Sequence, residues 1–481
     1  MDAPMDTLSE VIAELSKRAA EGIESVPDAV RAVHRLTELF REREYRENAE
    51  EGVFIVILKF LTSASCKVQS FNVEPSISLE SWFQLLAECF RCLRNSCVQC
   101  TRNQSTLRNI GVIEESVYVI KTLSSTNNVK DSCLAAFRCG LQFLGNIAAG
   151  NRDSQNSIWK CAFPELFLNC LTHEDEKVVS YCAMVLFTCI NRENVEDLQE
   201  TSKLKVALNV ISAYKKQPDA EWLYLIVTNH FLKCPDLVKA MYAQLINQER
   251  IAMLELLIAT ISEKDPLSEE ESNTLQRIAE FISVCFQDQC KAVLKLASPG
   301  DNDEEESMVV IRLLDVLCEM TSNNDHLACL QSCPGLLETV VDILHMTHLA
   351  GKQSKNIFTA THTMTMGLDA THAVVGFKAH LIRLIGNLCY ENKENQDKIY
   401  QLEGIPLILD NCSIDDNNPF LNQWAVFAIR NITEHNERNQ ELIAKLEHYG
   451  LADSSVLENM GLHVEERDGK LVLKSLKKSS T

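Results

Sequence analysis

The sequence is poor in helix breakers, with 16 glycines and 11 prolines among 481 residues. That scarcity argues against an all-β sandwich or barrel, whose many turns draw on both residue types. Long apolar runs are missing too. The best, Val53 to Leu61, is nine residues long and contains Lys59, well short of the ~18 that a membrane-crossing helix needs. Positive charge is in deficit: 46 Lys and Arg against 67 Asp and Glu leave a formal charge of −21, so nucleic acid and anionic membranes are poor partners. The tail Lys474 to Thr481 holds three lysines in eight residues and reads as a solvated end. The start, M-D-A-P-M-D-T-L-S-E-V, lacks the basic segment and apolar run of a secretory signal. The 19 cysteines are therefore expected as reduced thiols in cytosol or nucleus.

What is abundant is apolar spacing of three and four. Val11, Ile12, Leu15 and Ala19 show it first, with Thr7 and Glu10 spaced as a capping box. Strand-like alternation is confined to Gly461 to Ser475, where Asp468-Gly469 suits a two-residue hairpin turn. Three stretches interrupt the helical texture: Ser262 to Ser272, the acidic Ala297 to Ser307, and the polar Gly351 to Gly376. The last reads as a disordered insertion.

One stretch recurs. Ile385 to Gln396 reads I-G-N-L-C-Y-E-N-K-E-N-Q, and Ile429 to Gln440 reads I-R-N-I-T-E-H-N-E-R-N-Q. Leu93 to Gln104 and Leu144 to Gln155 follow the same pattern. Each has an apolar residue, then Gly or Arg, then Asn (Asn95, Asn146, Asn387, Asn431), with a Gln nine residues later (Gln104, Gln155, Gln396, Gln440). Asn387 to Asn431 is 44 residues and Asn95 to Asn146 is 51. A helical period near 40 to 47 is the mark of an armadillo or HEAT solenoid, in which each unit of two or three helices buries its apolar face only against its neighbours. Asn103, Ser154, Asn395 and Asn439 are expected to cap the following helices, and Asp416 and Asn418 to do so before Phe420. Between about Val195 and Lys291 the units cannot be counted.

The expected organisation is an all-α, armadillo/HEAT-like right-handed α-solenoid with a small C-terminal β-hairpin. It comprises N-terminal repeats over 1–297, an acidic loop over 298–307, and C-terminal repeats over 308–474. The second block contains a disordered insertion at about 351–376 and a hairpin at about 462–474, and a basic tail covers 475–481.

These units resemble the armadillo family, whose wording A-x-x-A-L-x-N-L and G-G-I-P-x-L is echoed in G-N-L-C at Gly386 and E-G-I-P at Glu403. Longer strings, among them E-C-F-R-C-L-R-N-S-C-V-Q-C and F-K-A-H-L-I-R-L-I-G-N-L-C-Y, resemble one branch of that family from about Leu85 to Leu473. The resemblance implies a non-enzymatic scaffold of the perinuclear cytoplasm, centrosome or basal body, and midbody. It also implies roles in neuron survival, neurite outgrowth through Ras-MAP kinase signalling, and cytokinesis. Self-association through the C-terminal region and binding to a heterotrimeric G-protein β subunit and O-GlcNAc transferase are further implications. In armadillo units the repeat Asn lines the concave groove, so Asn95, Asn146, Asn387 and Asn431 either contact a partner's backbone or bond neighbouring turns of the solenoid.

Other chemistry is weaker. Cys89, Cys92, Cys97 and Cys100 have the spacing C-x2-C-x4-C-x2-C of a zinc site, but along one continuous helix they cannot close a tetrahedron. In the repeat register Cys97 falls on Ala148, Cys389 and Thr433, a small core position. Gly145 to Arg152 has the glycines of a phosphate loop without its Lys-Ser/Thr. His345 and His348 could share a metal with His362 or His372, a pairing that twelve histidines make common by chance. No catalytic or cofactor-binding residue is expected. The alternatives are an import-receptor-like cargo adaptor and an enzyme with an unrecognised site. The adaptor reading lacks its Trp ladder, because the positions four before each Asn are Arg91, Gln142, Arg383 and Phe427.

Overall fold

The computed structural model describes residues 8–23, 25–70, 79–125, 131–262, 268–297, 304–322, 324–354, 356–359, 375–412, 415, 417–446, 462–467 and 470–475. Helices dominate them, and the chain divides into two compact units, Met1–Gln244 and Leu245–Thr481. The acidic stretch before Glu304 lies inside the second unit, and Glu304, Glu305 and Glu306 open the Glu304–Thr321 helix, where acidic side chains favour a helix N-terminus.

In the first unit a long helix of each repeat packs on its successor: Val26–Leu39, Leu79–Ser96, Asp131–Ala148, Glu176–Cys189 and Glu221–Asn229. A second layer runs through Glu51–Ser70, Val112–Ser124, Glu165–Leu171 and Thr201–Lys216. Short helices, Thr101–Asn109, Arg152–Ala162 and Arg192–Asp197, join the layers, giving three helices per repeat. The core between the layers is aromatic and aliphatic. Phe83, Phe90 and Phe143 are fully buried, and the rings of Phe90 and Phe143 stack at 6.3 Å.

The second unit repeats the plan. Asn247–Ser262, Glu304–Thr321, Phe377–Leu388 and Leu421–Thr433 form its layer of long helices, each packed on the next. Glu269–Gln289 and Leu336–Gln353 belong to the layer behind. Its short connectors are Asn324–Gln331 and Lys393–Gln401. Ser268 and Glu271 cap the Glu269–Gln289 helix reciprocally, so the connector at Ser262 to Ser272 ends in a capping box. Two strands, β1 (Leu462–Arg467) and β2 (Lys470–Ser475), pair antiparallel with Leu462 opposite Ser475. Their Asp468-Gly469 connection lies outside the described residues, as do Thr7, Asp416, His362, His372 and the tail beyond Ser475.

Most of the Gly351 to Gly376 stretch, 355 and 360–374, lies outside the described residues, which take in its start and its last two residues. Gly351 to Gln353 complete the Leu336–Gln353 helix, and Phe358 is 2% exposed. A phenyl ring that finds a pocket repays the ordering of a short polar stretch.

Candidate interaction surface

The repeat asparagines and glutamines tie successive repeats together. Asn146 Nδ2 donates to Arg94 O at 3.2 Å, and Asn431 Nδ2 donates to Gly386 O at 2.9 Å. In both cases the acceptor is the residue just before the previous repeat's Asn. Asn95 donates to Thr37 O at 3.2 Å and Asn387 to Thr321 Oγ1 at 2.9 Å, again on the preceding long helix. Asn387 and Asn431 are buried, and Asn95 and Asn146 half-buried. Two of the four glutamines continue the ladder forward, while Gln155 closes on Ala148 O in its own repeat at 3.0 Å. Gln104 Nε2 reaches Asn146 O and Ala149 O at 2.8 and 2.9 Å, while Gln396 Nε2 reaches Asn431 O and Glu434 O at 2.9 and 3.3 Å. These carbonyls lie at the C-terminal end of a helix or one residue past it, where the helix has run out of its own N–H donors.

The capping residues sit three positions earlier than the sequence suggests. Asn151, Asn392 and Asn436 accept from the N–H groups of Ser154, Asn395 and Asn439 at 3.1, 2.9 and 3.3 Å. Asn103, Asn395 and Asn439 instead turn inward. Each donates to two carbonyls: Asn103 to Arg46 O and Ser96 O, Asn395 to Gln331 O and Leu388 O, Asn439 to Gln396 O and Ile432 O. An inward amide spans two helices, whereas a cap must lie outside the first turn. Asn191-Arg192-Glu193-Asn194 repeats the device, Asn191 accepting from Asn194 N–H at 3.0 Å. That Asn-x-x-Asn was the signal for a further copy. Asn418 does not cap either: Phe420 occupies the N-cap position with φ 64°, and Asn418 Oδ1 accepts from Lys378 N–H at 3.0 Å.

The chain is 63% identical to Ataxin-10 of Xenopus tropicalis over 482 residues, covering 100% of this chain and 99% of that protein. The chain belongs to the ataxin-10 family. Human Ataxin-10 is 51% identical over 446 residues, 92% of this chain and 94% of the relative. A family model described as the Spinocerebellar ataxia type 10 protein domain matches residues 377–474. Among solved structures, a chain from work on a phosphorylation switch between cadherin and beta-catenin is 13% identical, covering 96% of this chain and 77% of that one with a TM-score of 0.43. The helical-repeat architecture of this ataxin-10 family member rests on its own helices.

The positions where import receptors place tryptophan carry other chemistry in this family member. Arg91 Nη1 donates to Glu88 Oε2 at 2.8 Å. Burial pushes the Glu88 carboxyl up, but hydrogen bonds from Thr37, Arg91 and His34 outweigh it and hold the group below the ordinary range. Gln142 accepts from Arg94 Nη1. Arg383 donates to Glu319 Oε1 at 3.1 Å and Ser322 Oγ at 2.6 Å, with its guanidinium 5.0 Å from the Trp424 ring. Phe427 meets Trp424 edge-on at 5.7 Å. Arg312 stands to its repeat as Arg383 does, within I-R-L-L-D-V-L-C against I-R-L-I-G-N-L-C, and donates to Glu255 at 3.1 Å and Asp315 at 2.9 Å. His380 Nδ1 completes the row, 2.8 Å from Asp315 Oδ1. Aromatic and guanidinium groups held on rigid helices are the side chains that dominate protein–protein contacts.

The cysteine cluster is not on one continuous helix as expected. Leu79–Ser96 ends before Cys97, and Cys100 takes the N-cap position of Thr101–Asn109. Cys89, Cys92 and Cys97 are fully buried, and burial pushes their thiols far up. Such thiols pack as small apolar groups. Gly145 to Arg152 is the end of the Asp131–Ala148 helix and the start of the next, with Gly150 at φ 69°. Among the described residues no group of three or more His, Cys, Asp or Glu is placed to hold a metal, and no helix is long and apolar enough to cross a membrane. His345 is exposed, and His348 faces Asn411 Oδ1 at 3.2 Å.

Proposed function

We propose that the chain is a non-enzymatic armadillo scaffold that self-associates through the stacking face of its last repeat. One comparison carries this reading. Ile382 and Ile385 are fully buried in the second-to-last repeat, while their counterparts 44 residues on, Val426 and Ile429, are 71% exposed and half-exposed. Leu446, at the end of Glu437–Lys445, is 43% exposed. In a solenoid a stacking face that none of the described residues covers is an incomplete core, which another copy can complete.

The row from Glu255 through Arg312, Asp315 and His380, with Glu319, Arg383, Trp424 and Phe427 beside it, then serves other proteins. The resemblance names a G-protein β subunit and O-GlcNAc transferase, and roles in neuron survival, neurite outgrowth and cytokinesis at centrosome and midbody. Asn95, Asn146, Asn387 and Asn431 serve such partners indirectly, by holding the long helices in register.

The self-association reading is tested with Val426→Glu by light scattering. The unmodified chain is expected as an oligomer and the variant at monomer mass, with helical circular dichroism retained. Equal masses overturn the reading.

A further inference from the structure

Asn356 to Thr359 fold back against the end of the Leu336–Gln353 helix as a closed turn. Phe358 N–H donates to Asn356 Oδ1 at 2.8 Å, Thr359 N–H to Asn356 O at 3.0 Å, and Asn356 N–H to Thr359 Oγ1 at 2.9 Å. Side chains remote in sequence then grip its main chain. Lys378 Nζ donates to Phe358 O at 2.8 Å, and Asn417 Nδ2 donates to Thr359 O at 3.2 Å and Ile357 O at 3.5 Å. The Phe358 ring is buried. Gly351 permits the approach, because a Cβ there would stand 2.3 Å from Phe358 O.

Lys378 is an expensive way to hold a turn. It is 4% exposed, and burial draws its pKa down against the pull of Asp415. Asp415 is itself oriented by Asn417 N–H at 3.0 Å and Asn418 Nδ2 at 2.7 Å. An apolar residue would fill the same volume without the desolvation cost of an ammonium. What Lys378 adds is a directed donor for a carbonyl. Three successive carbonyls gripped by side chains, with one aromatic pocket between them, is how proteins read peptides: main-chain bonds hold, and the pocket selects.

We propose that Lys378, Asn417 and the Phe358 pocket form a peptide-binding socket that the chain's own Asn356-Ile357-Phe358-Thr359 turn occupies, and that the socket accepts the same Asn-x-Phe-Thr turn from another polypeptide when its own is withdrawn. The socket is separate from the stacking face at Val426 and does not depend on it. A tethered turn has an effective concentration on the order of millimolar, so the unmodified socket stays filled.

The test uses the full chain and a fluorescein-labelled peptide, Gln-Ser-Lys-Asn-Ile-Phe-Thr-Ala. Phe358→Ala is expected to raise peptide affinity by about tenfold or more over the unmodified chain, by removing the tethered competitor. Adding Lys378→Met to that variant is expected to abolish binding. Equal binding by the unmodified chain and Phe358→Ala, indifference to Lys378→Met, or no binding to Phe358→Ala overturns the proposal. Should Phe358→Ala lose its helical circular dichroism, hydrogen exchange decides. Lys378→Met alone is expected to speed exchange of the Phe358 and Thr359 amides about tenfold, leaving Phe377–Leu388 protected. Unchanged exchange at those two amides counts equally against the socket.

Discussion

Replacing Gln396 with Ala isolates the glutamine ladder. Gln396 is 3% exposed, and its Nε2 serves Asn431 O and Glu434 O in the next repeat besides Cys389 O in its own. Alanine leaves the two carbonyls of the next repeat without this donor, at about 1–3 kcal/mol for each buried group orphaned. Some relaxation toward solvent lowers the sum, giving an expected cost of about 2–4 kcal/mol, or roughly 30- to 1,000-fold in a local opening equilibrium. Native-state hydrogen exchange of the Leu421–Thr433 amides reads this directly. Gln104→Ala should match it on Asp131–Ala148, because Gln104 makes the equivalent pair of bonds. Gln440 is the control, being exposed and, among the described residues, reaching only Thr433 O within its own repeat at 2.8 Å; its replacement should cost below about 1 kcal/mol. If Gln440→Ala is as costly as Gln396→Ala, cross-repeat bonding is not what holds the amide in place, and the reasoning fails.

Gly386→Ala should destabilise the second unit by about 1–3 kcal/mol in urea denaturation, since its new Cβ would stand 2.9 Å from Ala428 Cα, which belongs to the backbone. Gly145→Ala, where the obstacle is the mobile Met184 Cε, should cost less, and the reverse order would refute the close-packing argument. Burial, followed by the nearby Lys352 charge, lowers the pKa of His348 from 6.5. The unfolded chain therefore takes up this proton first, and the second unit should lose stability as pH falls below 6.5. Urea midpoints between pH 7.5 and 5 measure it, and His348→Gln should flatten that part of the slope.

The repeat was legible because its chemistry demands particular side chains. An amide that must donate across two helices can be Asn or Gln and little else, so Asn95, Asn146, Asn387 and Asn431 kept their spacing. The caps were misplaced by three residues because Asn392 and Asn395 are both short polar amides, and only geometry distinguishes the one outside the helix from the one inside. The copy at Arg312 escaped because Val316 stands at the position of Asn387. That repeat ties itself to the next through Thr321, whose Oγ1 accepts from Asn387. The turn at Phe358 was not legible at all: its partners Lys378 and Asn417 lie 20 and 60 residues away, measured from Phe358 and Ile357, and the local composition is polar.

The glutamine ladder does not run forward from every repeat. Gln104 and Gln396 each bond forward to the next long helix, whereas Gln155 and Gln440 close on Ala148 and Thr433 in their own repeats. Val426 and Ile429 occupy positions that Ile382 and Ile385 fill beneath a successor. A helix whose inward amides donate across to the preceding repeat holds its register while no described residue covers its apolar stripe. Asn439, buried and bonded to Gln396 O and Ile432 O, fastens the Glu437–Lys445 helix to the repeat before it. On the self-association proposed above, a face carried by ordered helices pays little ordering entropy on association, so that apolar side chains such as Val426 and Leu446 contribute to joining two copies.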